Sequence, residues 1–438
     1  MDKLTYSPND FIGADDSQSI QNAVDKACES GVMHVTIPRY NERTGSCEWV
    51  ITKEIRLPSE MTVILENCFI TMADDVLSNV FVSANAFTEE AVDPEKRMHG
   101  ITIQGVGHAV LDGGKPSCYN ETQCLKDGNL YLMTHNHPIF MINVEGFKVE
   151  NISITNQRYW GMRFEYCSKG IIRDIFTNVN RDRNNQDGIN LRNGCHDILI
   201  ENVHGQTGDD TIALSAIDTE KPNSPEPMIV KGLPYDIHDV VIRNISGAAL
   251  AHPLVALRNH NGAKIYNITI ENITDTPQLQ PSMRNEGAER YGIIRIGNNS
   301  YYSIAPSQMG DTYNIKIDNV NVNYSVRGIV TQATLKDCKF SNIHAGGACR
   351  SVVAVTPATW AGANGGVKME NVTVDGVTFD AANRENSSVF DFSVMRDEDY
   401  IHGLKLQNAE LRNVGKVVDL DPACTKCQVT MQNVGWKG

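Results

Sequence analysis

Long hydrophobic runs are missing from this chain of 438 residues. No stretch of about 20 consecutive apolar residues occurs, so the sequence predicts neither a transmembrane helix nor a membrane partner. Basic residues are also scarce. The chain has 39 lysines and arginines and 53 aspartates and glutamates, which give a net charge of −14. Since nucleic-acid binding requires a basic face, we expect no nucleic-acid partner.

A secretion signal and a disulfide framework are lacking as well. Residues 1–8 have no apolar core of the kind found in signal peptides, and the eleven cysteines are odd in number and scattered. Five of them lie in or beside apolar segments, where cysteine acts as a small core residue: Cys28, Cys68, Cys167, Cys195 and Cys338. We therefore expect a reducing, cytoplasmic location. The alternative is a secreted or periplasmic protein whose signal peptide has been removed.

Motifs for metals and cofactors are few. Cys424 and Cys427 form a single Cys-x-x-Cys motif with no second pair nearby, which is too little for a zinc site. We therefore expect neither a metal nor a cofactor. No feature of the sequence predicts an oligomeric state.

What the chain does contain is an internal repeat. A tripeptide with asparagine at its centre, followed by isoleucine or valine, recurs along the sequence, and several intervals lie between 20 and 29 residues. Periods of this size are typical of solenoids. The central residues are Asn151, Asn202, Asn244, Asn272, Asn319, Asn342, Asn371, Asn413 and Asn433, with Asp174 filling one gap.

Short alternating segments precede most of these asparagines, for example Ile198–Ile200 and Ile268–Ile270. Alternation with β-branched residues indicates strands, and asparagine tolerates the left-handed conformation that a sharp corner needs. We therefore predict an all-β solenoid of stacked parallel coils, forming one domain over residues 1–438. A β-sandwich is the alternative, but its turns recur every 8 to 12 residues or so.

One helix is predicted, over residues 16–29, with Asp16 or Ser17 as its N-cap and one apolar face that would cover the first coil. Three irregular segments, 117–136, 218–235 and 275–290, are predicted to be loop insertions between coils. Segments of this length are usually functional or disordered. Such loops could close one end of a cleft and make an enzyme exo-acting.

Two acidic motifs suggest catalysis. Asn185-Gln186-Asp187 and Gly208-Asp209-Asp210 each precede a short apolar strand. If those strands are neighbours in a parallel sheet, the three carboxylates converge. Hydrolysis of a glycosidic bond requires such a group of carboxylates, because one acts as the acid and another as the base. Paired aspartates alone are usually solvated turns, so the argument depends on this register.

The sequence resembles the polygalacturonase-like glycoside hydrolases (family 28), which fold as right-handed parallel β-helices. The opening segment 10–16, the glycine-rich segment 103–114 and His137-Pro138-Ile139-Phe140 all resemble that family. The resemblance implies a right-handed, single-stranded parallel β-helix with an N-terminal capping helix. It also implies hydrolysis of a pectin-type oligosaccharide or polysaccharide with inversion of the anomeric centre.

The family's motifs also imply roles for individual residues. Asp209 would be the general acid, Asp187 and Asp210 would activate water, and His252, in Ala251-His252-Pro253, would support the acid. Asn185 and Arg295 would contact the substrate. The family's Arg-Ile-Lys is Arg295-Ile296-Gly297 here, so the lysine is missing. A modified pectic oligosaccharide or an uncharged glycan is therefore an alternative to plain galacturonan.

Two other classes of function remain open. A polysaccharide lyase or epimerase acting on a uronate glycan would need a basic residue to abstract a proton and a cation to neutralise the carboxylate. His252 and Arg295 could serve those purposes. A non-catalytic glycan-binding solenoid is the third alternative.

Overall fold

The structure is a computed structural model that describes residues 4–115, 135–179, 185–217, 228–259, 261–279, 292–297, 307–356, 367–395, 400–422 and 424–437. It divides into two compact units. The first comprises Met1–Gly208 and Pro225–Leu233, and the second comprises Asp209–Ser224 and Pro234–Gly438. The single domain expected from the sequence stays a prediction.

The strands of the first unit pair in parallel wherever the register is defined, as stacked coils require. One series, β3–β6–β10–β13–β15, forms a sheet of short strands. The strands are β1 (His34–Ile37), β2 (Glu48–Ile51), β3 (Ile55–Leu57), β4 (Thr62–Glu66), β5 (Phe69–Met72), β6 (Phe81–Ser83), β7 (Met98–His99), β8 (Thr102–Val106), β9 (Val110–Asp112), β10 (Ile139–Ile142), β11 (Val144–Glu145), β12 (Lys148–Thr155), β13 (Met162–Glu165), β14 (Ser168–Asn178), β15 (Ile189–Arg192) and β16 (His196–Thr207).

The second unit repeats the same plan with longer strands. The even-numbered strands from β18 to β30 pair in sequence order, and the odd-numbered strands from β17 to β29 do the same, all in parallel. The strands are β17 (Ile212–Ala216), β18 (Ile237–Ala249), β19 (Val255–Asn259), β20 (Ile265–Asp275), β21 (Ile294–Ile296), β22 (Thr312–Val322), β23 (Arg327–Thr331), β24 (Leu335–Ala345), β25 (Ser351–Val355), β26 (Lys368–Asp380), β27 (Ser388–Phe392), β28 (Tyr400–Arg412), β29 (Lys416–Leu420) and β30 (Cys427–Lys437).

The corner residues predicted from the repeat are confirmed. All nine asparagines and Asp174 have left-handed backbones, with φ between 51° and 59°. Their side-chain amides bond from coil to coil: Asn272 donates to Asn244 at 2.8 Å and accepts from Asn319 at 2.7 Å. Asn202 donates to Asp174 at 2.8 Å in the first unit. The asparagine at each corner therefore both permits the bend and links neighbouring coils.

The predicted helix is present as α1, Asp16–Ser30, and it packs against β1, β2 and β3 as a cap would. Its predicted N-cap is wrong, because Asp15 accepts the capping bond from the amide of Gln18 at 2.8 Å. Asp16 is buried instead and pairs with Arg43 at 2.8 Å. Short 3₁₀ helices occur at Pro8–Asp10, Glu89–Val92 and Pro94–Lys96.

Burial of the cysteines follows the prediction with one exception. Cys68, Cys167, Cys195 and Cys338 are buried, whereas Cys28 is exposed because it lies off the apolar face of α1. Residues 117–134, 218–227 and 280–290 of the three predicted insertions lie outside the described residues. In the part of the chain that the structure describes, no helix has the length and apolarity to cross a membrane.

Candidate active site

Two aspartates, a histidine and an arginine meet in the second unit, and we call these four residues the acidic cluster. Oδ1 of Asp209 lies 3.7 Å from Nε2 of His252, and Oδ1 of Asp210 lies 4.0 Å from Nδ1 of the same ring. The amide of Asp210 donates a hydrogen bond of 2.9 Å to Oδ1 of Asp209. Oδ2 of Asp210 forms an ion pair with Arg258. The imidazole is therefore close to both carboxylates, and one carboxylate is tied to a cation.

Strand pairing explains why residues more than 40 positions apart meet. The amide of Thr211 donates to the carbonyl of Pro253 at 3.3 Å, and the amide of Ile212 donates to Leu254 at 2.9 Å. These bonds join the segments that lead into β17 and β19. Because the two strands run parallel in direct register, the residues just before each strand lie at the same end of the sheet.

The two carboxylates differ in their exposure to solvent. The side chain of Asp209 is 13% exposed and that of His252 is 28% exposed, whereas the side chain of Asp210 is fully buried. A buried carboxylate requires a charged or hydrogen-bonding partner, and Arg258 supplies one. Asp209 and His252 are therefore the more exposed carboxylate and ring of the cluster.

The cluster also contains a set of donors suited to a cation. Asp209, Asp210 and His252 each offer one ligand atom, and these atoms lie within 4.8 Å of one another. Carboxylate oxygen and imidazole nitrogen together suit several divalent metals. Arg258 pairs with the other carboxylate oxygen of Asp210, Oδ2, and brings one positive charge to the cluster.

A second arginine lies on the strand next to Arg258. In the register of β19 and β21, Ala256 pairs with Arg295. Arg258 comes two residues after Ala256, so both arginines extend from the same face of the sheet. Both side chains are largely buried.

The glycine at position 297, where the resemblance expects lysine, is required by the backbone. Gly297 has a φ of 88° and donates a 2.6 Å hydrogen bond to the carbonyl of Leu257. A Cβ at this position would lie 2.5 Å from both the amide nitrogen and the Cβ of Ala333. No lysine fits here without rearrangement. Arg258, which follows Leu257, lies on the neighbouring strand β19.

Asp187 lies in the first unit, just before β15, and is buried. Its Oδ2 accepts a hydrogen bond from Nδ2 of Asn190 at 3.1 Å. Its carbonyl accepts from the amide of Gly161 at 2.9 Å and from Nε2 of Gln157 at 3.0 Å. The backbone around this carboxylate is therefore fixed by the preceding coil.

The residues beside Asp187 are also held in place. Asn185 has a left-handed backbone with a φ of 59°. Gln186 donates from Nε2 to the carbonyl of Gln157 at 2.9 Å and accepts from the amide of Gly208 at 3.0 Å. One residue from each acidic motif, Gln186 and Gly208, is thus hydrogen-bonded within the first unit.

The structure brings together some of the predicted site residues and leaves others untested. Asp209, Asp210 and His252 form one cluster, as predicted, and Arg295 lies on β21, which pairs with β19. Asp187 belongs to the first unit and these four residues belong to the second. Its convergence with them on one face stays a prediction.

A buried charged cluster in the first unit was not predicted. Arg163 donates to Oε1 of Glu165 at 2.6 Å, and Nε of Arg192 lies 3.6 Å from the same oxygen. The amide of Met228 donates to Oε2 of Glu165 at 2.8 Å. The two guanidiniums lie 5.5 and 5.2 Å from the ring centre of Trp160, within range of cation–π attraction. Polar and charged residues at alternate positions of the apolar strands β13 and β15 were the available signal.

His137 borders that cluster and is held neutral. Its Nδ1 lies 3.1 Å from the carbonyl of Trp160, and its Nε2 lies 3.5 Å from Nη1 of Arg163. Complete burial, reinforced by the positive charge of Arg163, lowers the pKa of His137 well below its ordinary value. A neutral ring avoids adding a third positive charge beside Arg163 and Arg192.

Comparison with known proteins identifies a family segment in this chain. Residues 47–221 match the model of glycosyl hydrolases family 28. An exopolygalacturonase of Zea mays is 25% identical over 118 residues, which are 27% of this chain and 28% of that protein. The chain thus spans less than a third of the curated relative's length. The predicted resemblance to this family is confirmed over the matched segment.

Comparison with solved structures shows the fold. A hyperthermoactive exopolygalacturonase from Thermotoga maritima shares 15% identity at a TM-score of 0.55, covering 100% of this chain and 92% of that one. The A-module of the mannuronan C-5 epimerase AlgE4 from Azotobacter vinelandii shares 12% identity at a TM-score of 0.54, covering 97% and 100%. The predicted right-handed parallel β-helix is confirmed. Since these proteins share the architecture, the fold alone does not select the chemistry.

Proposed function

We propose that this protein is a glycoside hydrolase that cleaves a pectin-type oligosaccharide with inversion of the anomeric centre. The observation that carries the proposal is the acidic cluster, in which Asp209 and Asp210 flank His252. The family match over residues 47–221 supports a glycosidase, because paired carboxylates are the usual means of glycoside hydrolysis.

Asp209 is the general acid in this proposal. A general acid must reach the leaving oxygen of the substrate, and Asp209 is the more accessible of the two carboxyl groups in the cluster. Asp210 is fully buried, and its Oδ2 is paired with Arg258. His252, 3.7 Å from Asp209, is placed to assist the proton transfer.

Asp187 and Asp210 together would hold the attacking water. The resemblance of Asn185-Gln186-Asp187 and Gly208-Asp209-Asp210 to the family's motifs supports this assignment. An inverting hydrolase needs its carboxyl groups about 6.5–9.5 Å apart to leave room for water. Coils about 4.8 Å apart allow that separation between side chains on adjacent strands.

The substrate would be an acidic or modified pectic oligosaccharide. Arg295 is the proposed contact for a uronate carboxylate, since guanidinium groups bind carboxylates in a planar, two-bonded geometry, and Asn185 is the proposed contact for a sugar hydroxyl. Exo action is proposed because both exopolygalacturonases named above resemble this chain. We expect removal of sugar units from a chain end.

The test is an incubation with galacturonate oligomers of increasing length and with neutral galacto-oligosaccharides. New reducing ends should appear with the uronate series, and an exo enzyme should release the smallest product from the first minutes. Proton NMR of fresh product should show the inverted anomer. Retention would refute the inverting mechanism. An unsaturated product absorbing in the near ultraviolet would indicate a lyase, and binding without new reducing ends would indicate a glycan-binding solenoid.

A further inference from the structure

We propose that Cys424 and Cys427 are a redox-active thiol pair that closes to a disulfide by exchange with small disulfides. Their Sγ atoms lie 3.0 Å apart. A disulfide bond is about 2.0 Å long, so an approach of about 1 Å joins the two sulfurs. Cys427 begins β30, and Cys424 lies three residues before it, between β29 and β30.

The two thiols differ in accessibility, and this assigns their roles. Cys427 is half-buried and can meet a small disulfide in solution. Cys424 is 5% exposed, and its amide donates to the carbonyl of Asp421 at 2.9 Å. Exchange requires access to the attacking sulfur and then a second thiol in reach. Cys427 is therefore the attacking residue and Cys424 the resolving residue.

The residues around Cys424 and Cys427 favour thiol–disulfide exchange. Sδ of Met395, itself buried, lies 3.9 Å from Sγ of Cys427. This thioether shields the inner side of the pair from water and brings no charge. Ile401 donates from its amide to the carbonyl of Lys426 at 3.1 Å and pairs with Cys427, which anchors the attacking residue to β28.

Other cysteines in the described part of the chain differ from this pair in burial. Burial raises the pKa of Cys68 and of Cys338 to about 12, so the reactive thiolate is scarce at both sites. Cys28 and Cys47 are exposed. The pair at 424 and 427 combines a partly accessible thiol with a second thiol at near-bonding distance.

The proposed reaction is balanced with a glutathione-type disulfide as the oxidant. The thiolate of Cys427 attacks one sulfur, forms a mixed disulfide and releases one glutathione thiolate. Cys424 then attacks the Cys427 sulfur and releases the second. The two protons lost by the cysteines are taken up by the two glutathione thiolates, so one disulfide is reduced as one is formed. Reduced dithiol reagents reverse both steps.

The disulfide between Cys424 and Cys427 would stabilise the start of β30, the last strand. β30 pairs with β28, and most of its side chains are exposed, so little apolar burial holds it in place. A covalent bond between residues 424 and 427 restricts the turn that feeds this strand. Oxidation should therefore slow proteolysis of the C-terminal segment.

Trypsin provides a direct assay, because Lys426 separates the two cysteines. Cleavage after Lys416, Lys426 and Lys437 yields one peptide with Cys424, residues 417–426, and another with Cys427, residues 427–437. After native oxidation with oxidised glutathione, alkylation and digestion, mass spectrometry should find these peptides joined and free of glutathione. Reduction should separate them.

Two variants test the roles. In Cys424→Ser, Cys427 should retain glutathione as a trapped mixed disulfide, whereas in Cys427→Ser, Cys424 should stay unmodified under native conditions. Cys47→Ser is the control, and it should leave the joined peptide at the wild-type level. The proposal is refuted if wild-type protein carries glutathione on Cys427 without the joined peptide. It is refuted equally if neither thiol reacts while exposed Cys47 does.

Discussion

Replacing Arg258 with methionine removes the cation that pairs with Asp210 while keeping most of the side chain's apolar volume. Asp210 is fully buried and Arg258 is 9% exposed, so the variant leaves an uncompensated buried carboxylate. Breaking such a pair typically costs about 3–5 kcal/mol. We expect Arg258→Met to lower the free energy of unfolding by that amount. It should also lower kcat, because Asp210 loses the bond that orients it.

Urea denaturation followed by circular dichroism measures this loss, and a double-mutant cycle isolates the pair. Asp210→Asn alone should also destabilise, and Arg258→Met with Asp210→Asn should cost less than the sum of the single changes, since neither charge is left unpaired. The exposed pair Lys437–Glu410 is the matched control, and Lys437→Met should cost at most about 1 kcal/mol. The reasoning is refuted if Arg258→Met costs no more than this control, or if the single effects simply add.

Three further predictions address catalysis, backbone and pH. Asp209→Asn should reduce hydrolysis on the order of a hundredfold with the fold intact, while Asp25→Asn on α1 should leave the rate unchanged in the same assay. Gly297→Ala should destabilise by roughly 1–3 kcal/mol more than Gly262→Ala in thermal melts, because both glycines have φ above 80° but only a Cβ at 297 collides with a neighbour. Because the pKa of His137 is depressed in the folded protein, the unfolded chain binds more protons below its unfolded pKa of about 6.5. Stability should therefore fall as pH drops below that value, and His137→Gln should flatten this dependence in denaturation measured from pH 7.5 to 5.

The corners of the coils could be predicted because the left-handed backbone is a local property of the residue. Asn244 and Asn272 lie in such corners, and neither needed a distant partner to be recognised. The N-cap of α1, in contrast, could not be predicted from local sequence. Asp15 and Asp16 are equally good capping residues by type, and the choice depends on Arg43, which pairs with Asp16 from 27 residues away.

The role of Arg258 could not be predicted from local sequence. Its partner Asp210 lies 48 residues earlier, and only the register of β17 with β19 brings the two strands together. Position 297 was interpreted as the loss of a cation, because the sequence does not reveal that a backbone clash excludes any side chain there. Writing residues 255–258 above 294–297 places Arg258 directly opposite Gly297. That alignment was the available signal.

The hydrogen bonds between corner side chains affect which sequence changes such a chain can accept during evolution. Asn272 bonds to Asn244 on one side and to Asn319 on the other, so each coil is coupled to its immediate neighbours. Energetics of this kind are nearest-neighbour and nearly additive. A mutation in one coil then alters the local stability and leaves distant coils as they were. Side chains of one coil can therefore change without a second adjustment in distant coils of the scaffold.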